Sequence, residues 1–263
     1  IKLMFGGYNA GYGAQWHPFD GPVFRNQSQY PEGEIYNCIG SQLEASVSRT
    51  MGTCLSNPEL NKQKQQNLQE FVKAVEPGML YIHGLDISTQ QASLRSWAQR
   101  CPECRRLWPN DDINAADGMA GAFARFYDQL YEAVIEVRNP SSDYDAARDC
   151  TVCMVSPNYT NHNERDEEWQ FHLEYFRILT GCLKHKEIQL VLREQFFSEK
   201  TSLPRFEQLR QTTGNQCKLG VVYFSSGSGF YNSLPVTADA TCIRYFSSLD
   251  TVIAGSGNAF QEA

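Results

Sequence analysis

The sequence predicts an α/β fold: a mostly parallel open sheet flanked by helices and preceded by a helical, glycine-rich N-terminal segment. Two observations lead to this class. Apolar runs of strand length alternate along the chain with stretches whose apolar residues recur at helical spacing. The connections between the later runs are also long enough for right-handed crossovers. Alternating strands and helices are typical of a parallel sheet covered by helices, since parallel neighbours need crossover connections.

The strands are predicted from four uninterrupted apolar runs, at residues 79–82, 150–155, 188–192 and 219–224. These runs lack the apolar–polar alternation of a half-exposed strand, so both faces of each strand are expected to be covered. We therefore expect the four to be neighbours in one sheet. Residues 251–253 form a further strand candidate.

The helices are predicted from apolar positions three and four residues apart. The clearest one covers about 115–138, where one face carries Met119, Phe123, Phe126, Leu130, Ala133 and Val137. Other helices are predicted before Pro77 and around residues 40–50, 94–101, 164–184 and 204–210. The helices at 115–138 and 164–184 should pack on the sheet.

The chain divides into three regions by composition. Residues 1–61 are rich in Gly, Asn, Gln and aromatic residues, and we interpret them as the C-terminal segment of a separate structural unit or as an irregular N-terminal region. Residues 62–225 carry the regular α/β pattern, and residues 226–263 form a Ser/Gly-rich C-terminal extension. The sequence starts at Ile1, which indicates a processed protein or an excerpt of a longer one.

Composition excludes several function classes. The net charge of the 263 residues is −7, which argues against nucleic acid as a partner because a polyanion needs a basic surface. No stretch reaches the roughly 18 apolar residues of a spanning helix, so no membrane span is expected. The metalloprotease, phosphate-loop, dinucleotide and nucleophile-elbow motifs are absent from the sequence, so no cofactor is predicted. His83, at the end of the first predicted strand, is interpreted as a strand-end histidine.

The most specific string is Phe5-Gly-Gly-Tyr-Asn-Ala-Gly-Tyr-Gly13, followed by Pro31-Glu-Gly-Glu-Ile-Tyr36. Over residues 1–50 this pattern resembles the C-terminal part of lysozyme-like lytic transglycosylases, in which a helix ends in Tyr-Asn-Ala-Gly. The resemblance implies binding of peptidoglycan or another glycan, with Tyr8, Asn9 and Tyr12 as contact residues. The alternative interpretation is a glycine-rich turn with aromatic anchors.

The same resemblance implies a protein of a phage virion or cell envelope, with other protein subunits as partners. Its family uses one protonated glutamic acid that precedes the motif by many tens of residues, which places the acid upstream of residue 1. Glu32 and Glu34 follow the motif in a Pro/Gly turn, where an exposed carboxyl is deprotonated near neutral pH. We therefore expect this chain to bind peptidoglycan without cleaving it.

Residues 79–224 weakly resemble a Toll/interleukin-receptor (TIR) type α/β domain, through Val155-Ser-Pro-Asn-Tyr159 and the helix that Trp169 opens. This implies an interaction or signalling module as the alternative function. NAD-cleaving members carry a glutamate four positions after the tryptophan, where this chain has Leu173. Glu174 lies one residue later, about 100° around a helix, so no NAD cleavage is expected.

Nine cysteines include two CxxC pairs, Cys101 with Cys104 and Cys150 with Cys153. Two such pairs would suit a tetrathiolate zinc site. The second pair lies in a predicted strand, where positions three apart face opposite sides. We therefore predict that the four sulfurs do not converge, and that the cysteines are buried thiols or disulfides.

Overall fold

A computed structural model gives the fold of the chain. It describes residues 4–9, 55–56, 58–83, 94, 97–98, 100–160, 166–194, 202–214, 216–224 and 251–255. The helices are α1 (Pro58–Val75), α2 (Pro102–Leu107), α3 (Met119–Ile135), α4 (Ala146–Asp149), α5 (Asp166–Cys182) and α6 (Ser202–Thr213). The strands are β1 (Met4–Asn9), β2 (Met79–His83), β3 (Arg138–Asn139), β4 (Tyr144–Asp145), β5 (Thr151–Thr160), β6 (Gln189–Glu194), β7 (Leu219–Phe224) and β8 (Thr251–Gly255).

Six strands form one sheet in the order β1-β2-β5-β6-β7-β8, and every neighbouring pair is parallel. The strands therefore follow one another across the sheet in the order of the chain. The remaining two, β3 and β4, pair antiparallel in a small separate hairpin. Asp143 precedes β4 with a φ of 60°, the left-handed conformation that Asp tolerates in tight turns.

The helices α1, α3, α5 and α6 pack side by side in the same order as the strands they connect. A right-handed crossover that always advances in one direction delivers each helix to the same face of the sheet. These four helices thus form a single layer. Within the layer, Trp169 of α5 links α5 to α6, since its indole Nε1 donates to Gln208 Oε1 at 2.6 Å.

The main core lies between the helix layer and the sheet. It contains Leu80, Val152, Met154 and Leu190 from the strands. The largest fully buried side chains come from the helical side: Trp97, Phe123, Tyr127, Trp169, Tyr175 and Phe176. Residues that alternate with the core-facing positions, such as Cys153 and Val191, are buried as well. Both faces of the central strands are therefore covered, as their continuous apolar sequence predicts.

Local chemistry sets the helix boundaries. At the end of α1, Glu76 adopts a φ of 51° and its N–H donates to the Val72 carbonyl at 2.8 Å, and Pro77 follows. This arrangement ends the helix, because proline cannot continue it. At the start of α3, a Cβ on Gly121 would overlap the Ala116 carbonyl oxygen. Glycine there allows the loop and helix to approach closely.

The four strands predicted from apolar runs are confirmed as adjacent members of one parallel sheet. The helices predicted at 115–138 and 164–184 are confirmed as α3 and α5, and both contribute to the core between helices and sheet. The helix predicted at residues 40–50 lies outside the described residues.

The structure differs from the prediction at the start of the sheet. Met4–Asn9 is a strand of the main sheet, whereas the resemblance to lytic transglycosylases implies the end of a helix there. At the other end, the strand candidate at residues 251–253 is confirmed as part of β8 in the same sheet. Strands outside residues 62–225 thus complete the same sheet. Among the described residues, no helix combines the length and apolarity needed to cross a membrane.

Candidate functional site

The carboxyl edge of the parallel sheet is the candidate functional site. All six strands point the same way, so their C-terminal ends collect along one edge. In open α/β sheets and in (β/α) barrels, ligands bind at this edge because the connecting loops converge there. The described strands bring residues from six separate parts of the sequence to it.

The register shows which residues share this edge. Asn9 at the end of β1 pairs with His83 at the end of β2, and His83 in turn pairs with Val155. Farther along β5 and β6, Thr160 pairs with Glu194, and Glu194 with Tyr223 of β7. The strands β5 to β8 therefore extend beyond the level at which β1 and β2 end, and the edge is stepped.

Residue type changes from apolar to polar along β1, β2, β5 and β6, whereas β7 and β8 end with Phe224 and Gly255. β2 reads Met-Leu-Tyr-Ile and then His83, whereas β6 reads Leu-Val-Leu and then Arg193-Glu194. β1 likewise begins Met-Phe and ends with Tyr8-Asn9. The pattern therefore favours a polar site above an apolar base.

Two of these strands are irregular just before they end. Phe5 pairs with Leu80 and Tyr8 with Ile82, so β1 holds one extra residue at Gly6-Gly7. Between Val155 and Tyr159, β5 likewise holds two more residues than β6. Bulges re-aim the residues that follow them and are frequent next to active sites. Glycine and proline are common at such positions. Pro157, for example, has no N–H to donate to the hydrogen bonds between neighbouring strands.

The strand residues below the edge, Cys153 and Gln189, carry no charge. Cys153 and Gln189 are register partners, both buried, and the Cys153 thiol contacts Gln189 Oε1 at 3.9 Å. Burial raises the pKa of the Cys153 thiol to about 12, with a smaller contribution from Cys150. Cys153 therefore stays protonated at neutral pH, and this layer supplies no thiolate.

The structure places two of the predicted glycan-contact residues, Tyr8 and Asn9, at the end of β1 on the carboxyl edge. Tyr12, the third one, lies outside the described residues, as do Glu32 and Glu34. The backbone register therefore brings the Tyr8-Asn9 pair next to His83, an adjacency that their separation of 74 positions in the sequence conceals.

Arg193 and Glu194 were missed as candidates. Their signal is present in the sequence: a charged pair directly follows the apolar run that ends at Leu192. Such a pair can mark a solvated strand end as easily as a site. What distinguishes them is their place in the sheet, two strands from His83 and three from Asn9, which only the strand order reveals.

The positions that correspond to the TIR-type glutamate do not form a site. Leu173 is buried in the core. Glu174 pairs with Arg177 one turn later, at 2.6 Å between Oε1 and Nη2, and hydrogen bonding to Arg177 lowers the pKa of Glu174. This is a helix-surface ion pair of a common kind.

The two CxxC pairs occupy different environments. Both Cys101 and Cys104 contact Ser56, whereas Cys153 contacts Gln189 in the sheet. In the described part of the chain, no group of three or more His, Cys, Asp or Glu side chains lies close enough to hold a metal ion.

No protein-family model and no curated protein matches this sequence. Among solved structures, it is similar to a cycloisomaltooligosaccharide glucanotransferase from Paenibacillus sp., determined in complex with cycloisomaltoheptaose. The TM-score is 0.39 at 8% identity, and the match covers 73% of this chain but 23% of the other. The chain thus spans under a quarter of that protein's length. A similarity of this size does not establish a shared fold or function.

Proposed function

We propose that this protein binds a glycan, with peptidoglycan as the first candidate, at the carboxyl edge of its parallel sheet. The single observation that carries the proposal is the position of Tyr8-Asn9. This pair ends β1 on that edge, immediately after a bulge and in register with His83. A role in a phage virion or in a cell envelope belongs to the same proposal.

The residue types at the edge suit a sugar polymer. A tyrosine ring offers an apolar face on which a sugar ring stacks, and its hydroxyl remains available for hydrogen bonds. An asparagine amide both donates and accepts, which matches the acetamido and hydroxyl groups of N-acetylated sugars. Histidine, threonine, arginine and glutamate at the neighbouring strand ends add further donors and acceptors.

The extent of the edge favours an oligomer over a single sugar. Asn9 and Glu194 lie three strands apart in the sheet order, which is about 14 Å at the usual spacing of neighbouring strands. The step between β2 and β5 adds to that separation. A ligand that touches both ends must therefore extend over more than one ring.

Binding is tested by co-sedimentation of the purified chain with insoluble peptidoglycan. The wild type is expected to pellet with the wall, and the double substitution Tyr8→Ala, Asn9→Ala is expected to reduce the bound fraction at least tenfold. Gln69→Ala is the matched control, because Gln69 is an amide on the helix layer that donates to Glu136. Unchanged sedimentation of the double variant, or none by the wild type, would contradict the proposal.

Cleavage is tested in the same samples by following the turbidity of the wall suspension. We expect this chain to cause no loss of turbidity. Glu194 is the carboxyl group that the strand order adds to this edge. Lysis that disappears in Glu194→Gln and persists in the exposed control Glu70→Gln would show instead that the protein is an enzyme.

A further inference from the structure

The start of α2 holds two cysteines in an unusual local arrangement. Cys101 is the N-cap residue, with φ −64° and ψ 163°, and Pro102 is the first residue of the helix. The Cys101 Sγ accepts a hydrogen bond from the Cys104 N–H at 3.4 Å. The cap conformation thus folds the Cys101 side chain back over the first turn, toward the residue three positions ahead.

Both sulfurs also converge on one hydroxyl. Ser56 Oγ lies 3.5 Å from Cys101 Sγ, and the Cys104 thiol donates to it at 3.1 Å. Cys104 is completely buried, whereas Cys101 is 8% exposed. Ser56 also lines a cavity of about 300 Å³ together with Asn61 and Trp108. The two sulfurs therefore lie one side chain below an opening in the surface.

We propose that Cys101 and Cys104 form a dithiol–disulfide pair, closed by a low-molecular-weight disulfide such as oxidised glutathione. Because both sulfurs contact the same Ser56 oxygen, at 3.5 and 3.1 Å, the two sulfurs lie close to each other. A disulfide brings the two Cβ atoms to about 3.5–4.5 Å, so closure requires rotation of the side chains together with a small shift of the first turn of the helix. This inference is independent of the glycan-binding proposal.

The reaction balances in two exchange steps. The thiolate of Cys101, the more exposed of the two, attacks one sulfur of oxidised glutathione, which forms a mixed disulfide and expels one glutathione thiolate. The thiolate of Cys104 then attacks the Cys101 sulfur of that mixed disulfide and expels the second. Two cysteine thiols are oxidised, one oxidised glutathione is reduced to two glutathiones, and the two thiol protons pass to the released thiolates.

The second CxxC pair provides a control within the same chain. Cys150 follows α4, and Cys153 lies inside β5, where it contacts Gln189. Along an extended chain, positions three apart face opposite sides, so these two sulfurs cannot meet without breaking the sheet. A disulfide is therefore expected between Cys101 and Cys104 but not between Cys150 and Cys153, although the two pairs have the same spacing in the sequence.

Digestion with trypsin places the two CxxC pairs in separate peptides. Cleavage after Arg100 and after Arg105 releases Cys-Pro-Glu-Cys-Arg, which contains both cysteines of the helical pair and no other. Cleavage after Arg148 and after Arg165 releases the peptide with Cys150 and Cys153. The full-length folded chain is equilibrated with increasing ratios of oxidised to reduced glutathione, quenched with acid, alkylated and digested for mass spectrometry.

With oxidised glutathione, the Cys101–Cys104 peptide is expected to lose two hydrogens and take up no alkyl group, and reduced glutathione is expected to reverse this. The Cys150–Cys153 peptide should carry alkyl groups or glutathione and should form no internal disulfide. A Cys101–Cys104 peptide that is alkylated twice at every ratio would overturn the proposal. So would a disulfide from either cysteine to the peptide that contains Cys54.

Cys104→Ser provides a second test, because serine keeps a donor toward Ser56 while the thiol that completes the disulfide is lost. This variant is expected to accumulate glutathione on Cys101. Accumulation of glutathione on Cys101 in the wild type at the same level as in Cys104→Ser would contradict the second step.

Discussion

The helix layer and the carboxyl edge of the sheet belong to the same α/β fold, yet different features of the chain determine them. The helix layer is built from apolar side chains repeated at helical spacing, and its largest members, such as Phe123 and Tyr127, are fully buried. The edge is built from single polar residues that become neighbours only through the register of the strands. We therefore expect substitutions in the helix layer to change stability, and substitutions at the edge to change ligand binding.

The largest effect on stability is expected from Phe123→Ala. Phe123 is fully buried on α3, and its ring packs against Tyr127 with 5.7 Å between ring centroids. Removal of a buried aromatic ring leaves a cavity and typically costs about 3–5 kcal/mol. Urea denaturation should show this loss, with Phe123→Leu as the milder control. If the two variants were equally stable, the helix layer would not be tightly packed around this ring.

A smaller loss is expected from Asp128→Ala. The Asp128 carboxylate of α3 accepts from the backbone N–H groups of Lys184 and His185, at 2.9 and 3.0 Å, and so holds the turn between α5 and β6. Hydrogen bonds to charged groups contribute about 1.5–3 kcal/mol. The urea midpoint should fall accordingly, and Asp128→Asn, which keeps one acceptor, should lose less. Glycan binding per folded molecule should be unchanged in both variants.

The smallest effect is expected from Glu132→Gln, and it depends on pH. Glu132 Oε1 accepts from His185 Nε2 at 2.9 Å and from Lys184 Nζ at 2.6 Å. Both hydrogen bonds lower the pKa of Glu132, the one from His185 more than the one from Lys184. A lowered pKa in the folded protein means that the unfolded chain binds the proton more readily than the folded one does. The stabilisation is therefore present above the ordinary pKa of about 4.3 and is lost as the pH falls through the folded value.

The measurement for Glu132 is the difference in urea midpoint between the wild type and Glu132→Gln at several pH values. The wild type should be the more stable protein at pH 6, and its advantage should shrink as the pH falls from 5 to 3. An advantage that grows toward low pH would show that these contacts do not act in the folded protein. High salt should also reduce it, because the side chain is partly exposed.

Sequence periodicity predicted most of the helix layer and the central strands, and the reason is physical. Strands covered on both faces, such as β5 at Val152, Cys153 and Met154, need continuous apolar residues, and a helix such as α3 needs one apolar face. Periodicity did not predict the pairing of β1 in the sheet, because the extra residue at Gly6-Gly7 interrupts the strand pattern. It also did not predict the hairpin of β3 and β4, whose strands of two residues each are too short for a periodic signal.

The candidate site was only partly predictable for a related reason. Tyr8, Asn9 and His83 each attract notice in the sequence, but their adjacency depends on which strand lies beside which. An alternation of helices and strands indicates a parallel sheet without fixing the strand order. Glu194 therefore becomes a candidate only once β6 is placed beside β5.

The sequential strand order also has a consequence for how the protein folds. Each strand of the main sheet after β1 pairs with the main-sheet strand that precedes it in the chain. Each strand after β1 therefore finds a partner that has already been synthesised, so the sheet can grow by one strand and its helix at a time as the chain leaves the ribosome. The paired strands are nevertheless far apart in sequence, as Met4 and Met79 are, so each new pairing closes a long loop and slows folding.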